Sequence, residues 1–489
     1  MAGVDGSYWQ RHPTSDERHG VVALRLPDLS ADLVTAAGVF AAQRVDRGTM
    51  ALLRQMPTPT AASAVVDLGA GYGPIAVTLA HRQPLAGVWA VDINERALGL
   101  VRVNSTAVRG PNVVAAAPEQ VPETLLFDGL YSNPPIKIGK EGTRQLLSTW
   151  LARVVPGGSA WLVVKQAMGA DSLHTWLDEV GFPTRRMASK QGYRILQVRA
   201  PSTEGPGRQP LAAEDLELVG RGTGGRWTVL GQLSGGMSDP VYLLGRARQR
   251  AVLKVKQGAW WGEQLARTVE CVEQLRALDY PTPPVLGVGA LDPDRHFLLT
   301  GYRAGRPSAA LTARDLDRVL DAAARHGQVH PGPVRDWSVM VAAFLNGGIA
   351  DFAFHPGVQP LARQALGLIT RPVPALPTGD FVHGDFTPRN MLFDRDGLSA
   401  IIDLEGFGAG TPVIDLVALL QTAAHPRDGD PAMARRLTER ALEIGSAETF
   451  AACVVHRVLA ALAAATEHPA QLEDARERCQ GLLRMIDWE

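Results

Sequence analysis

The apolar positions fall into two successive regimes. In the first, short β-branched runs alternate with stretches of helical period. AVVDLG (64–69), GVWAVD (87–92), FDGLYS (127–132), SAWLVVK (159–165) and YRILQVR (193–199) carry the strand pattern. Between them IAVTLAHR (75–82), ERALGLVRVN (95–104), TRQLLSTWLARVV (143–155) and DSLHTWLDEVG (171–181) carry the helical one. Alternation of this kind predicts an α/β domain with a mainly parallel, doubly wound sheet. The second regime opens with strand patterns at RWTVLGQL, PVYLLG and AVLKVK, and helical stretches dominate from Asp315 onward. That order predicts an α+β domain of a different plan. Between the two, Pro201 to Asp215 holds three prolines, two glycines and few large apolar residues, the composition of a linker. The expected organisation is therefore a first domain over 1–200, a linker over 201–215 and a second domain over 216–489.

Length and composition agree with this division. A chain of 489 residues exceeds one ordinary core. With 46% hydrophobic and 20% charged residues it is not a largely disordered chain. The net charge of −1 hides an asymmetry: 20 basic against 16 acidic residues up to position 200, and 29 against 34 beyond it. The three cysteines, Cys271, Cys453 and Cys479, have no paired spacing, which excludes a disulfide scaffold and a zinc cluster. No uninterrupted apolar run approaches the ~18 residues of a membrane span, and the first twenty residues lack a signal-peptide pattern. The expectation is a soluble, cytoplasmic protein with no membrane partner. Only six of the 49 basic residues are lysines, so each lysine marks a place where a compact ammonium is worth examining.

The run Asp67-Leu68-Gly69-Ala70-Gly71-Tyr72-Gly73-Pro74 follows one strand and opens a helix. Glycines there let the backbone turn sharply and approach a ligand closely. The next strand ends in Asp92, 23 residues after Gly69, where a carboxylate can accept both hydroxyls of a ribose. The spacing is G-x-G-x-G, which disfavours a dinucleotide. Ser132-Asn133-Pro134-Pro135-Ile136 follows the strand FDGLYS. An asparagine side-chain oxygen and the next backbone carbonyl supply the two acceptors that hold a planar amino group with its lone pair facing an electrophile.

On these motifs, with GVFAAQRVDRGTMALL, VPGGSAWLVVKQAMGADSLHTWL and KQGYRILQV, residues 20–200 resemble a class I S-adenosylmethionine-dependent methyltransferase. More narrowly they are similar to the "methyltransferase small" family, whose best-known members methylate guanine N2 in ribosomal RNA. The resemblance implies a Rossmann-like fold with Asp67, Gly69, Gly71, Gly73 and Asp92 at the cofactor. It also implies that Asn133 and Pro134 bind the target amine. Two positions depart from the family: the acid that reads the cofactor's adenine is represented only by Glu119, and Ile136 stands where a base-stacking ring is usual. Lys137, Lys140 and Arg144 fit either RNA phosphates or a solvated helix start. Lys165 and Lys190 are assigned no role.

The second half contains FVHGDFTPRNMLFDRDGLSAIIDLEGFG. Asp385 precedes Asn390 by five residues, and Asp403 follows Asn390 by thirteen, at the end of an apolar strand. Phosphoryl transfer needs a carboxylate to align the attacking hydroxyl and oxygen ligands for Mg²⁺ at the phosphates. This segment resembles the aminoglycoside phosphotransferase and choline kinase-like family over about residues 220–440, which implies a protein-kinase-like fold. By that resemblance Asp385 is the base, Asn390 and Asp403 are magnesium ligands, and Lys254 meets the ATP phosphates. Gly235, Gly236 and Ser238 lie at the tip of the hairpin that covers those phosphates. Glu270 is the helix acid expected to pair with Lys254, and Phe297 to Tyr302 the segment expected to meet adenine. His383 is expected to orient the loop backbone, and Asp415 to stabilise the fold from a helix start. Trp260 and Trp261 are read as packing in a cap ahead of stacking on a substrate.

The reading is a bifunctional transferase, joining phosphorylation of a small-molecule hydroxyl to methylation of an amino nitrogen, rRNA guanine N2 being one candidate. The alternative keeps the kinase and makes the first domain a non-catalytic S-adenosylmethionine- or RNA-binding module. Antibiotic resistance and metabolism both remain open as roles. A protein kinase is disfavoured, since too few residues separate Asp403 from Asp415 for an activation loop.

Overall fold

The computed structural model describes residues 11–12, 18–108, 110, 112–201, 211–233, 240–308, 311–332, 334–347, 349 and 352–486. The chain forms two compact units: residues 1–258 with 289–299, and residues 259–288 with 300–489.

The first unit opens with β1 (His19–Arg25) and β2 (Ser30–Ala36), then α1 (Arg47–Leu53), β3 (Ala64–Leu68), α2 (Pro74–Arg82), β4 (Gly87–Val91) and α3 (Glu95–Ala107). It continues through β5 (Val113–Ala116), β6 (Leu125–Ser132), α4 (Gly139–Leu151), β7 (Val154–Lys165), α5 (Ala170–Glu179), β8 (Thr184–Lys190) and β9 (Tyr193–Arg199). After residues 202–210, which lie outside the described residues, come α6 (Ala213–Gly222), β10 (Thr228–Leu233), β11 (Val241–Arg246) and β12 (Gln249–Gln257). Strands β5-β4-β3-β6-β7 run parallel, and β9 and β8 close that edge antiparallel. β3 and β4 are buried along their whole length, which is why their sequences are continuous apolar runs rather than alternations.

Two features depart from the sequence reading. The helix expected to reach Val155 ends at Leu151, and β7 begins at Val154. There the Arg153 carbonyl accepts from Phe127 N–H at 2.8 Å, and Arg153 Nε donates to Leu125 O at 3.1 Å. The edge of β6 captures the chain before the helix can continue. The hairpin β1–β2 was not anticipated either; it buries Val22, Leu24 and Leu33 on one face.

β10 joins this same sheet. Gln232 and Leu233 pair antiparallel with Leu126 and Leu125 of β6, and β11 and β12 follow as successive antiparallel neighbours. The buried Trp89 donates its indole N–H to Leu230 O at 2.6 Å. At Gly87 a Cβ would sit 1.9 Å from the Val229 carbonyl oxygen, so a glycine is required for β10 to lie against the start of β4.

The second unit begins with α7 (Trp261–Ala277), and β13 (Val285–Ala290) and β14 (Arg295–Gly301) carry the chain into the first unit and back. It continues with β15 (Arg306–Pro307), α8 (Ala313–Ala323), α9 (Trp337–Asn346), α10 (Gln359–Gly367), β16 (Asp380–Val382), β17 (Met391–Asp394), β18 (Gly397–Ile401) and β19 (Gly408–Gly410). Four helices end the chain: α11 (Val413–Ala423), α12 (Pro431–Ile444), α13 (Ala447–Glu467) and α14 (Leu472–Leu483). Two short pairings matter for chemistry. β16 pairs with β19 and β17 with β18, which draws the segments 383–390 and 402–407 side by side. α13 alone among the described helices has the length and apolar composition to cross a membrane, yet 61% of its apolar window is buried, with Val454, Val455, Val458 and Leu459 in the core.

Replacing Gly87 by Ala should therefore lower stability by roughly 1–3 kcal/mol or more, because the new methyl meets backbone rather than a yielding side chain. Thermal or denaturant unfolding of the full chain measures this. A variant as stable as the parent would show that β10 does not lie against β4.

Candidate active sites

The C-terminal ends of the parallel strands surround a cavity of about 430 Å³, the usual place for a ligand in a doubly wound sheet. Gly69, Gly71, Asp92, Asn133 and Pro134 all line it. Gly69 and Gly71 adopt positive φ, and a Cβ at Gly71 would meet nothing within 4 Å, so the loop presents bare backbone to the space. Asp92 holds the loop: Oδ2 accepts Gly71 N–H at 2.8 Å and Oδ1 accepts Asn94 N–H at 2.9 Å. Burial pushes the Asp92 carboxyl pKa up. A carboxylate has about four acceptor positions, so capacity for hydroxyl donors remains.

Two expected cofactor residues lie outside the lining. Gly73 caps α2 in the left-handed conformation, beside Val101. Asp67 is completely buried, with Oδ2 accepting from Ala76 N–H at 2.9 Å and Oδ1 without a partner among the described residues. Burial, together with the nearby Asp92 charge, pushes the Asp67 pKa up to about 8.

Ser132 Oγ donates to Leu68 O at 2.7 Å and ties the Asn-Pro-Pro loop to the glycine loop. Asn133 Nδ2 donates to Asp46 Oδ2 at 3.1 Å and to Thr49 Oγ1 at 3.0 Å, while its Oδ1 accepts nothing among the described residues. Pro134 O accepts Ile136 N–H at 2.8 Å and retains a second lone pair. Asp46, Tyr193 and Lys165 line the same cavity, though the sequence reading gives none of them a role. Asp46 did carry a signal, since an Asp three residues before a Thr at a helix start is a capping pattern. Lys165, expected near the rim of the site with no assigned role, is part of the lining. Of the basic residues after the loop, Lys137 lines the cavity and Arg144 lies over the Trp176 ring at 5.2 Å. Glu119 is absent from the lining and pairs with Arg11 at 2.8 Å.

In the second unit Asn390 Nδ2 donates to both the backbone oxygen and Oδ2 of Asp385, each at 2.9 Å. The amide oxygen of Asn390 therefore points away from Asp385. Asp403 is exposed and adopts φ 71° at the end of the β18 segment. The loop is held from below by Asp415, a buried residue in the first turn of α11, whose carboxylate accepts His383 N–H at 2.8 Å and Gly384 N–H at 3.0 Å. The buried His383 bridges the two segments, with Nε2 2.9 Å from Ile402 O and Nδ1 accepting from Asp385 N–H at 3.3 Å. Both residues thus position the loop, as expected. Gly384 cannot change, because a Cβ there would lie 2.5 Å from the Trp337 ring. Two oxygen-bearing side chains, Asn390 and Asp403, suit a magnesium ion that completes its shell with phosphates. They do not form a self-sufficient cage, and the described residues contain no such cluster of His, Cys, Asp and Glu.

Lys254 and Lys256 are half-buried on β12 in the first unit, and Lys254 faces Val241 across the strand pair. Gly235, Gly236 and Ser238 lie outside the described residues. Glu270 gives its carboxylate to Arg267 at 3.2 Å. Within Phe297 to Tyr302 the chain passes from the first unit to the second, between Leu299 and Thr300. Trp260 and Trp261 stack on each other with centroids 4.1 Å apart, Trp260 being exposed and Trp261 half-buried.

The family described as "Methyltransferase small domain" matches residues 30–197, and that described as "Phosphotransferase enzyme family" matches residues 229–453. The uncharacterized protein YbxB of Bacillus subtilis (strain 168) is 26% identical over 195 residues, 39% of this chain and 97% of its own length. Ribosomal RNA small subunit methyltransferase C of Shewanella oneidensis is 32% identical over 130 residues, which is 26% of this chain and only 37% of that enzyme. A solved structure of a thermostable mutant of aminoglycoside phosphotransferase APH(4)-Ia, with ADP and hygromycin B, aligns over 55% of this chain and 98% of its own. Its identity is 16% and its TM-score 0.41.

The buried Asp67 gives a pH signature. An unfolded aspartate loses its proton near pH ~4, whereas the folded one keeps it to about pH 8. Between those values the folded chain binds the extra proton, so stability falls as pH rises through that window. Asp67→Asn retains an acceptor for Ala76 N–H and cannot titrate. Melting curves from pH 4 to 8 should slope downward in the parent and less steeply in the variant. Equal slopes would place the Asp67 proton elsewhere.

Proposed function

The chain carries a methyltransferase small domain over residues 30–197 and a phosphotransferase-family domain over residues 229–453, and from this pairing we propose a bifunctional transferase with its functional division at residues 201–215. One half methylates an amino nitrogen and the other phosphorylates a small-molecule hydroxyl. The observation that carries the reading recurs in both halves. Asn133 and Asn390 each turn Nδ2 to an aspartate, which leaves the amide oxygen for an incoming ligand.

In the first half, Gly69, Gly71 and Asp92 would hold S-adenosylmethionine, which supplies a methyl group on a sulfonium. Asn133 Oδ1 and the spare lone pair of Pro134 O accept the two hydrogens of the acceptor amine and aim its nitrogen lone pair. Lys137 and Lys165 at the same cavity favour an acceptor bearing phosphate. The partial match to an rRNA methyltransferase supports a base in ribosomal RNA as that acceptor.

In the second half, ATP with Mg²⁺ would supply the phosphoryl group, and Asn390 and Asp403 would hold the metal. Asp385 aligns the acceptor hydroxyl and takes its proton, while Asn390 fixes the Asp385 carboxylate. Asp415 and His383 keep the backbone of that loop in place for the transfer.

Incubation of the full chain with ATP, Mg²⁺ and a panel of amine-rich antibiotics and metabolites should yield a product heavier by one phosphoryl group. Asp385→Ala should reduce its formation by at least ~10²-fold, and product formed undiminished by that variant would end the assignment of the base. In parallel, Asn133→Ala should abolish methyl transfer from labelled S-adenosylmethionine to ribosomal RNA while leaving phosphorylation intact. Cofactor binding with no transfer by the parent would favour a non-catalytic first half.

A further inference from the structure

We infer that Asp46, assisted by Thr49, is a positioning residue that fixes which end of the Asn133 amide faces the acceptor amine. This rests on the methyl-transfer reading above and adds to it the element that makes Asn133 an acceptor.

A primary amide is nearly symmetric in shape, and turning it over exchanges an acceptor for a donor at the same place. An Asn133 turned over would present N–H groups to the N–H groups of a substrate amine. Donor would meet donor, and the amine would neither bind nor direct its lone pair. Something must therefore decide the orientation, and Asp46 can accept hydrogen bonds but, when ionised, cannot donate them. With Asp46 Oδ2 at 3.1 Å and Thr49 Oγ1 at 3.0 Å, both Nδ2 hydrogens are engaged behind the loop. Oδ1 is consequently left to the cavity that Asn133 lines.

The clamp is itself fixed. Asp46 caps α1, and its Oδ2 accepts Gly48 N–H at 2.7 Å and Thr49 N–H at 3.0 Å. Tyr193 Oη approaches Asp46 Oδ1 at 3.5 Å. A Cβ at Gly48 would lie 2.6 Å from the Tyr193 ring and 2.9 Å from Asp46 Oδ2, so only glycine lets the three groups close together. The carboxylate has one compatible position, and the amide follows it. Helix capping and acceptor geometry are thus the work of a single side chain.

The test reads the amide directly in the full chain labelled with ¹⁵N-asparagine, the Asn133 side-chain signal being identified by its loss in Asn133→Ser. The Asn133 Nδ2 protons should exchange with water at least ~5-fold more slowly than those of exposed asparagines. Thr49→Val, which leaves the helix cap in place, should remove much of that protection. Asp46→Ser, which retains a capping hydroxyl too short to reach Asn133, should remove the rest. Methyl transfer by Asp46→Ser should fall in kcat with the KM for S-adenosylmethionine little changed. Freely exchanging Asn133 protons in the parent would falsify the clamp, as would protection that survives both substitutions. Should Asp46→Ser fail to fold, Thr49→Val decides alone. Protected protons in a protein that methylates nothing would uphold the clamp and remove only the reading on which it rests.

Discussion

Backbone groups buried away from water must find partners, and in the first unit β10 depends on that requirement most. Its residues Gln232 and Leu233 bond to the start of β6, and the Leu230 carbonyl is met by the Trp89 indole. The strands within the methyltransferase match and those that open the phosphotransferase match thereby become one sheet. The compact unit extends to Gly258 for this reason, well past the Pro- and Gly-rich segment that separates the two matches. Gly87 is the local condition for the arrangement, since any side chain there would occupy the space of the Val229 carbonyl.

Each candidate site rests on carboxylates that accept from backbone N–H groups. Asp92 holds Gly71 and Asn94, Asp46 holds the first turn of α1, and Asp415 holds His383 and Gly384. Burying an acid is costly unless several donors satisfy it, and backbone N–H groups are donors that cannot swing away. The outcome is loops anchored from behind, with the half-buried Asn133 in one case and the exposed Asp385 beside the half-buried Asn390 in the other. Gly384 and Gly48 mark where the neighbouring ring packs too closely for any other residue.

Much of this was legible because the responsible signals are local. Strands β3 and β4 announced themselves as continuous apolar runs because both faces are covered. The glycine turn, Asp92 and the Asn-Pro-Pro loop lie at strand ends, where spacing alone sets their proximity. The same holds for Asp385, Asn390 and Asp403, which the β17–β18 hairpin and the enclosing β16–β19 pair bring side by side. The parts that escaped depend on distant partners. Glu119 stands after the third parallel strand, where the adenine-reading acid is expected, yet turns to Arg11. Asp46 reaches Asn133 across 87 positions, and Tyr193 reaches Asp46 across 147. The end of α4 was misplaced because β6, rather than helix propensity, decides where the chain turns.

Two regimes of apolar periodicity, one glycine-marked loop and a fixed ladder of Asp, Asn and Asp were therefore determined by the sequence itself, since each rests on neighbours within a few dozen residues. The tertiary structure alone decided that β10 completes the first sheet. It also decided that Lys165 lines the cavity while Asp67 and Gly73 do not, and that Asp46 accepts from the Asn133 amide. The physical reason is the same in each instance. Hydrogen-bond direction and steric closure are set by which side chains meet in space, and pattern along the chain carries no record of that meeting.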